Sequence, residues 1–255
     1  MKNGRTGLNL CIPEPGQAWS SSQVEAVKPC LEKMDAQERV QWALDFLPDN
    51  AILTSSFGAQ SAVMLHLVTR FRPTMPVVLI DTGYLFDETY GFIDQLVERL
   101  DLQLVVYRPK FSPAWQEKRF GRLWEQGPEG IRQYNQMNKI EPMERALEDL
   151  QVGTWFSGLR REQSDSRQGI AVLQRHGRTV KVNPIADWTN RDVHEYLKAY
   201  DLPYHPLWEL GYVSIGDRHT SQPLVEGMSA QDTRFFGMVR ECGLHEPERF
   251  RRAAL

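Results

Sequence analysis

Apolar and polar positions follow two periods along the middle of the chain, and their order predicts alternating strands and helices. Short, nearly continuous apolar runs, typical of buried strands, occupy residues 51–56, 76–80, 102–107 and 154–158. Between the first three runs, residues 61–71 and 87–100 carry apolar positions at helical spacing. Because strands that alternate with helices form parallel sheets, we predict an α/β fold: a parallel twisted sheet with helices on both faces.

Capping and turn signals add further elements to this sheet. Residues 36–47 have helical periodicity, and Asp35 is a suitable N-cap for them. Thr189, followed three residues later by Asp192, is typical of the capping box that begins another helix. Residues 171–183 predict a β-hairpin, so the last strands lie close together in the sequence.

The distribution of glycine, proline and serine suggests three regions. Residues 1–33 are rich in these three residue types, which predicts an irregular N-terminal arm. Residues 34–228 contain the strand and helix patterns and are predicted to be the α/β domain. Residues 229–255 are predicted to be a flexible C-terminal segment.

Composition limits the function classes that remain. The 255 residues are 41% hydrophobic, which suffices for the core of one domain. Thirty basic and thirty-three acidic residues give a net charge of -3, so we expect no nucleic-acid partner, and an anionic ligand needs a local basic cluster. With no membrane-spanning apolar run and no secretory pattern, we expect a cytoplasmic protein without a membrane partner.

One of the three cysteines has chemically useful neighbours. Cys242 lies in RECGLH, between Arg240 and His245. The thiolate is the nucleophilic form of cysteine, and nearby cations lower the thiol pKa. The segment therefore predicts a reactive thiol, although Gly243 could instead close a helix beside an ordinary cysteine.

The loop after the first strand has a composition suited to an anion. Its members are Ser55, Ser56, Phe57, Gly58, Ala59 and Gln60. At the carboxyl end of a parallel strand, backbone N–H groups and the start of the next helix point to one spot. Gly58 permits close approach and the serines supply donors. Many strand–helix turns share this composition, so an anion site and an ordinary turn both remain open.

The second predicted strand ends at Asp81, Thr82 and Gly83. Ligands of parallel sheets bind at this edge, so these residues are candidates for contacts with a ligand. Asp81 could accept hydrogen bonds from a ribose or an adenine, or it could cap the following helix.

Three arginines follow the strand at residues 154–158, namely Arg160, Arg161 and Arg167. Guanidinium groups match the paired oxygens of a phosphate, so these residues could be the local cluster that an anion needs. Arg234 and Arg240 add to this supply nearer the C-terminus. Alternatively, Glu162 and Asp165 could pair with the first three in a solvated charged run.

Five motifs in one order resemble the phosphoadenylyl sulfate (PAPS) reductases of the PP-loop superfamily, also described as adenine nucleotide alpha hydrolase-like. They are SSFGAQ, DTGYLFDET, YNQMNKIEPM, LRREQSDSR and RECGLH. The resemblance covers about residues 35–245. It implies that SSFGAQ is a modified PP-loop and DTGYLFDET a second nucleotide-contacting loop, with LRREQSDSR and Lys139 contacting the substrate. Lys139 could otherwise be an ordinary surface lysine.

The resemblance also implies a reaction. Cys242 would attack the sulfur of the sulfonate of PAPS and form an S-sulfonate, with His245 as an electrostatic or hydrogen-bonding partner. Reduced thioredoxin or glutaredoxin would then release sulfite, in assimilatory sulfate reduction. A homodimer is implied in the same way.

The sequence departs from the cluster-bearing branch of this family at both cysteine pairs. Tyr134 and Asn135 stand where the first pair would be, and the stretch at residues 216–221 lacks the second. Iron–sulfur clusters are held by cysteine thiolates, commonly four, and this chain has three cysteines. We therefore expect no iron–sulfur cluster, no metal and no cofactor other than the reduced protein co-substrate. His205 and His219 alone do not make a metal site.

Three alternatives remain beside the PAPS reductase. The first is a cluster-free reductase that accepts adenylyl sulfate (APS). The second is an ATP-using PP-loop ligase or thiolase, which is disfavoured because no aspartate follows Gly58 in the loop. The third is a nucleotide-binding regulator without activity, which would leave RECGLH without a role.

Overall fold

A computed structural model describes residues 19–229 and 232–237. Its centre is a six-stranded sheet in the order β3-β2-β1-β4-β6-β5. The strands are β1 Ala51–Thr54, β2 Pro76–Ile80, β3 Gln103–Tyr107, β4 Thr154–Phe156, β5 Leu173–His176 and β6 Thr179–Val182. Neighbouring strands are parallel except for β5, which pairs with β6 in antiparallel register. The predicted, mostly parallel sheet is therefore confirmed.

Eight α-helices accompany the sheet in the described part of the chain. They are α1 Ser21–Leu31, α2 Ala36–Phe46, α3 Ala62–Thr69, α4 Asp87–Leu100, α5 Pro113–Phe120, α6 Gly127–Asn135, α7 Glu141–Asp149 and α8 Asn190–Ala199. A π-helical turn, Gln136–Ile140, joins α6 directly to α7. Asp35 caps α2 and a capping box begins α8 at Thr189, as predicted, and α2 has a capping box as well.

Helices cover both faces of the sheet because successive strand residues point to opposite sides. Leu53 and Phe156 pack into the larger core, which α1, α2, α3, α4 and α8 cover. Ile52 and Trp155 point the other way and pack against α7 through residues such as Met143. The two apolar clusters make this a three-layer α/β structure.

The strand order places a crevice beside β1. The chain runs outward from β1 to β2 and β3, and then returns to form β4 on the other side of β1. At such a reversal, the loops that leave the two central strands turn in opposite directions and leave a cleft at their carboxyl ends. The loop after β1 and the loop after β4 both reach this edge.

Element boundaries are mostly as predicted. β2 and α4 match their predicted ranges, whereas β1 and β4 each end two residues early. The hairpin is confirmed, and Gly177 adopts a φ of 59° in its turn. No helix in the described ranges is long and apolar enough to cross a membrane.

The predicted irregular arm of residues 1–33 is wrong for residues 21–31, which form α1. Ser20 caps this helix and exchanges hydrogen bonds with Gln23 in a capping box. Val24, Val27 and Leu31 are buried in the larger core. The serine run therefore starts a packed helix, and residues 1–18 lie outside the described part of the chain.

A buried arginine fastens the N-terminal helices to the segment after β6. The Arg39 side chain is 1% exposed and donates to the carbonyl oxygens of Leu31 and Pro184 at 2.9 and 2.8 Å. Its Nη2 also lies 2.9 Å from a carboxylate oxygen of Asp187. Since burial of an unpaired charge is costly, this arginine depends on its full set of partners.

We expect Arg39→Met to lower the free energy of unfolding by about 3 kcal/mol, because it leaves buried carbonyls without donors. Arg99→Met is the matched control, since Arg99 pairs with a fully exposed Asp201 side chain. That control should change stability by less than about 1 kcal/mol. Urea denaturation measures both, and equal losses would contradict the role given to Arg39.

Candidate functional site

The loop after β1, residues 55–60, has an open helix start beside it. Phe57 adopts a φ of 48°, and its fully buried ring anchors the loop. A Cβ at Gly58 would lie 3.4 Å from the carbonyl of Ile215, so glycine suits this close approach. α3 begins without a side-chain cap, and within the described residues the buried Ser61 Oγ has no hydrogen-bond partner. This geometry suits an anion at the start of α3.

Arg160 joins the loop after β4 to the loop after β1. It is 3% exposed and donates to Gln60 Oε1 and Asn190 Oδ1, both at 2.9 Å. Burial lowers the pKa of its guanidinium. The predicted meeting of these two loops is therefore present, and Arg160 itself clamps Gln60.

The other two predicted arginines have different partners. Arg161 donates to both carboxylate oxygens of Glu32, at 2.7 and 2.9 Å, and to the carbonyl of Ile170. Arg167 donates to Gln163. Arg161 thus connects its segment to the turn after α1. Its carboxylate partner is Glu32 and not Glu162 or Asp165, which lie nearby in the sequence.

Asp81 organises the loop after β2. It is 4% exposed and accepts hydrogen bonds from Gly83 N at 2.9 Å, Tyr90 Oη at 2.8 Å and Arg108 Nε at 2.9 Å. The alternative that it caps the next helix is wrong, because Phe86 is the N-cap of α4. Burial and then the hydrogen bond to Asp81 raise the pKa of Tyr90.

Lys139 lies in the π-helical turn and is only 7% exposed, so it is not a surface lysine. Its Nζ lies 2.6 Å from Asp217 Oδ2. Asn138, its neighbour, makes a reciprocal amide pair with Gln116 at 2.8 and 2.9 Å. Single π-helical turns often occur at functional sites. The amide pair fixes the turn that carries the lysine.

Asp217 connects this lysine to the loop after β2. Thr82 Oγ1 donates to Asp217 Oδ1 at 2.6 Å, so both carboxylate oxygens have partners. Burial alone would raise the pKa of Asp217, but Lys139 and Thr82 outweigh it and hold the pKa at about 2. The result is a buried ion pair that joins three segments.

Aromatic rings fill the region of the two missing cysteine pairs. The ring of His219 lies 3.7 Å from that of Trp124 and meets Tyr84 and Tyr134 edge-on. Within the described residues, neither ring nitrogen of His219 has a hydrogen-bond partner. Burial lowers the pKa of His219 to about 4, so the ring is neutral at pH 7. The residues described contain no group of side chains that could hold a metal.

Arg234 and Phe235 close the site at the end of the described chain. The Arg234 guanidinium packs against Gly216, where an added Cβ would collide with it. The ring centre of Phe235 lies 5.2 Å from that guanidinium and 5.0 Å from Lys139 Nζ. Arg240, Cys242 and His245 lie outside the described residues.

Sequence reasoning missed several of these contacts. Asp217 was noticed only as a departure from a cysteine motif, although an aspartate in an apolar loop is a signal for a buried ion pair. Asn138 and Gln116 gave no signal, since a π-helical turn has no recognisable local pattern. Phe235 carried no separate sequence signal.

Comparison with known proteins shows which family this chain resembles. The profile of the phosphoadenosine phosphosulfate reductase domain matches residues 50–223. The chain is 64% identical over 227 residues to phosphoadenosine 5'-phosphosulfate reductase of Alteromonas mediterranea, covering 89% of this chain and 92% of that protein. It is 62% identical to the Xylella fastidiosa protein of the same name, covering 88% and 94%.

Solved structures agree with this similarity. The phosphoadenylyl-sulfate (PAPS) reductase of Candida auris, in a phosphate complex, superposes with a TM-score of 0.71 at 28% identity. The alignment covers 81% of this chain and all of that one. The FMN adenylyltransferase of Candida glabrata, bound to FAD and pyrophosphate, reaches a TM-score of 0.57 at 13% identity, with 93% and 83% covered. That second likeness concerns the fold alone.

We expect His219→Phe to flatten the dependence of stability on pH between about 6.5 and 4. The His219 pKa is about 4 in the fold against 6.5 as its ordinary value, so unfolding takes up protons in this interval and stability falls as pH falls. Phenylalanine keeps the ring packing and removes up to about one proton of that uptake. Urea denaturation across the pH range measures it. An unchanged slope would contradict a neutral, buried His219.

Proposed function

The chain belongs to the phosphoadenosine phosphosulfate reductase family, and we propose that it reduces PAPS to sulfite and adenosine 3',5'-bisphosphate. The observation that best supports this activity is the position of Lys139. This buried cation lies at the sheet edge that also holds the loop of residues 55–60, and next to Phe235. From Phe235 the chain leads to Cys242 seven residues later.

In the first step, the Cys242 thiolate attacks the sulfonate sulfur. A bond forms between Sγ and that sulfur, and the bond from sulfur to the phosphate oxygen breaks. The electron pair leaves with adenosine 3',5'-bisphosphate, and the enzyme keeps an S-sulfonate. Negative charge develops on the leaving oxygen, where preorganised cations and loop amides stabilise the transition state.

In the second step, a thiolate of reduced thioredoxin or glutaredoxin attacks Sγ of Cys242. Sulfite departs with the electron pair of the S–S bond, and a mixed disulfide remains. The second thiol of the partner then attacks this disulfide, which frees Cys242 and oxidises the partner. Two electrons thus pass from the dithiol to sulfur, and no metal or bound redox cofactor is part of this scheme. His245 supports the thiolate electrostatically.

The residues divide between holding the nucleotide and holding the sulfonate. We assign the 5'-phosphate to the loop at residues 55–60 and the uncapped start of α3. Lys139 and Arg234 approach the sulfonate, and Arg240 adds charge in the segment that carries the thiol. The loop at Asp81 shapes the nucleotide side through its backbone. The enzyme is proposed to act in the cytoplasm as a homodimer.

Preference for PAPS over APS depends on the 3'-phosphate, which adds nearly two negative charges. We assign this phosphate to the arginines of residues 160–167, each of which also makes hydrogen bonds within the protein. Charge-assisted hydrogen bonds of this kind are worth about 1.5–3 kcal/mol, or about one to two decades in affinity.

We expect purified protein with reduced thioredoxin to release sulfite from PAPS with kcat/KM at least about tenfold higher than from APS. One of the variants Arg160→Ala, Arg161→Ala and Arg167→Ala should reduce that ratio selectively. Arg175→Ala, which alters an exposed arginine of the hairpin, is the matched control and should keep the ratio.

Three outcomes of this assay count against the proposal. Equal kcat/KM values for the two nucleotides would favour the cluster-free reductase that accepts APS and leave the thiol mechanism intact. Absence of sulfite from both nucleotides would overturn the enzyme assignment. ATP consumption with an acceptor would revive the ligase or thiolase.

Replacement of the thiol tests the mechanism separately. Cys242→Ser should abolish both sulfite release and S-sulfonate formation while the affinity for adenosine 3',5'-bisphosphate stays near normal. Cys30→Ser, at the half-buried free thiol of α1, is the control and should retain activity. Mass spectrometry locates the S-sulfonate, and its appearance on any cysteine other than Cys242 would refute this assignment.

A further inference from the structure

The ring of Phe235 lies close to two cations. Lys139 Nζ is 5.0 Å from the ring centre, and the Arg234 guanidinium carbon is 5.2 Å from it. Phe235 is fully buried, so its ring and Lys139 are both largely removed from water. The electron-rich face of an aromatic ring attracts cations within about 6 Å, and more strongly when water is excluded.

Two like charges near one ring need compensation, and the surrounding residues supply it. Asp217 Oδ2 lies 2.6 Å from Lys139 Nζ and neutralises that charge. Gly216, the residue before it, leaves the room in which the Arg234 guanidinium packs. The loop at Gly216 and Asp217 therefore accommodates both cations beside the ring.

Residues 221 and 222 hold the backbone of residues 233 and 234. Arg234 forms an isolated antiparallel bridge with Ser221, and Gln222 N donates to the carbonyl of Thr233 at 3.0 Å. Phe235 itself adopts a φ of 47°, a left-handed conformation that is uncommon for a bulky residue. Such a conformation persists where tertiary contacts fix it. Tertiary contacts at Phe235 therefore fix the backbone conformation of this residue.

We propose that Phe235 is a positioning residue for sulfonate transfer, whose ring face holds Lys139 and Arg234 in place. This inference rests on the proposed function, because both cations are assigned there to the sulfonate. The ring makes no contact with the substrate in this scheme. It acts by holding the two cations that are assigned to the sulfonate.

If Phe235 were an ordinary core residue, only the volume of its side chain would matter for the rate. Leucine is apolar and similar in size but has no aromatic face, so Phe235→Leu removes the attraction for both cations and keeps much of the packing. Fluorination of the ring is a finer change, since each added fluorine withdraws electron density from the face and leaves the shape nearly constant. The two changes separate the effect of the electron density on the ring face from the effect of the ring volume.

The experiment uses the full-length protein and measures the single-turnover rate of S-sulfonate formation from PAPS. Phe235→Leu should lower this rate by about tenfold or more. Site-specific replacement by mono-, di- and trifluorinated phenylalanine should lower it stepwise. Phe92→Leu alters another buried ring, one that packs on His205, and should reduce thermal stability while leaving the rate within about twofold.

A fluorination series with constant rates, in variants that unfold at the same temperature as the unmodified protein, would overturn the inference. So would a wild-type rate in a folded Phe235→Leu protein. Sulfite release by the unmodified protein is measured first and tests the proposed function alone. A failure of the Phe235 series in an active enzyme therefore leaves that function standing.

Discussion

The buried ion pair between Lys139 and Asp217 is the interaction on which the site depends. Burial of an ammonium group is costly unless a close counter-ion compensates its charge. Asp217 supplies the charge at 2.6 Å, and Thr82 satisfies its second oxygen. One carboxylate thereby joins the loop after β2, the π-helical turn and the loop at residues 216–221. Each of these segments contributes a wall of the proposed site.

Around this pair, the molecule uses aromatic rings to exclude water. His219, Trp124, Tyr84 and Tyr134 pack edge-on or tilted, which are favourable arrangements for rings. Burial keeps His219 neutral, with its pKa lowered to about 4, so no additional charge competes for Asp217 near pH 7. Cluster-bearing relatives are expected to have cysteine pairs in this region. This chain instead has the ion pair between Lys139 and Asp217, surrounded by aromatic rings.

Arginines in the loop after β4 stabilise the structure around the proposed site. Arg160 and Arg161 come next to each other in the sequence, yet one clamps Gln60 and the other pairs with Glu32. Both orient the loop after β4 instead of leaving their charge in the crevice. Because the net charge is only -3, no global field attracts an anion, and the positions of individual cations become decisive.

The sequence by itself determined the alternating strands and helices, the N-cap at Asp35, the capping box at Thr189, and the position of the loop after β1. These features follow from apolar period and capping, which act over a few residues. Tertiary structure decided the packing of α1, the π-helical turn, and the partners of Lys139 and Arg161. Those partners lie 78 and 129 residues away along the chain. No local pattern encodes such pairs, because burial against the rest of the fold selects them.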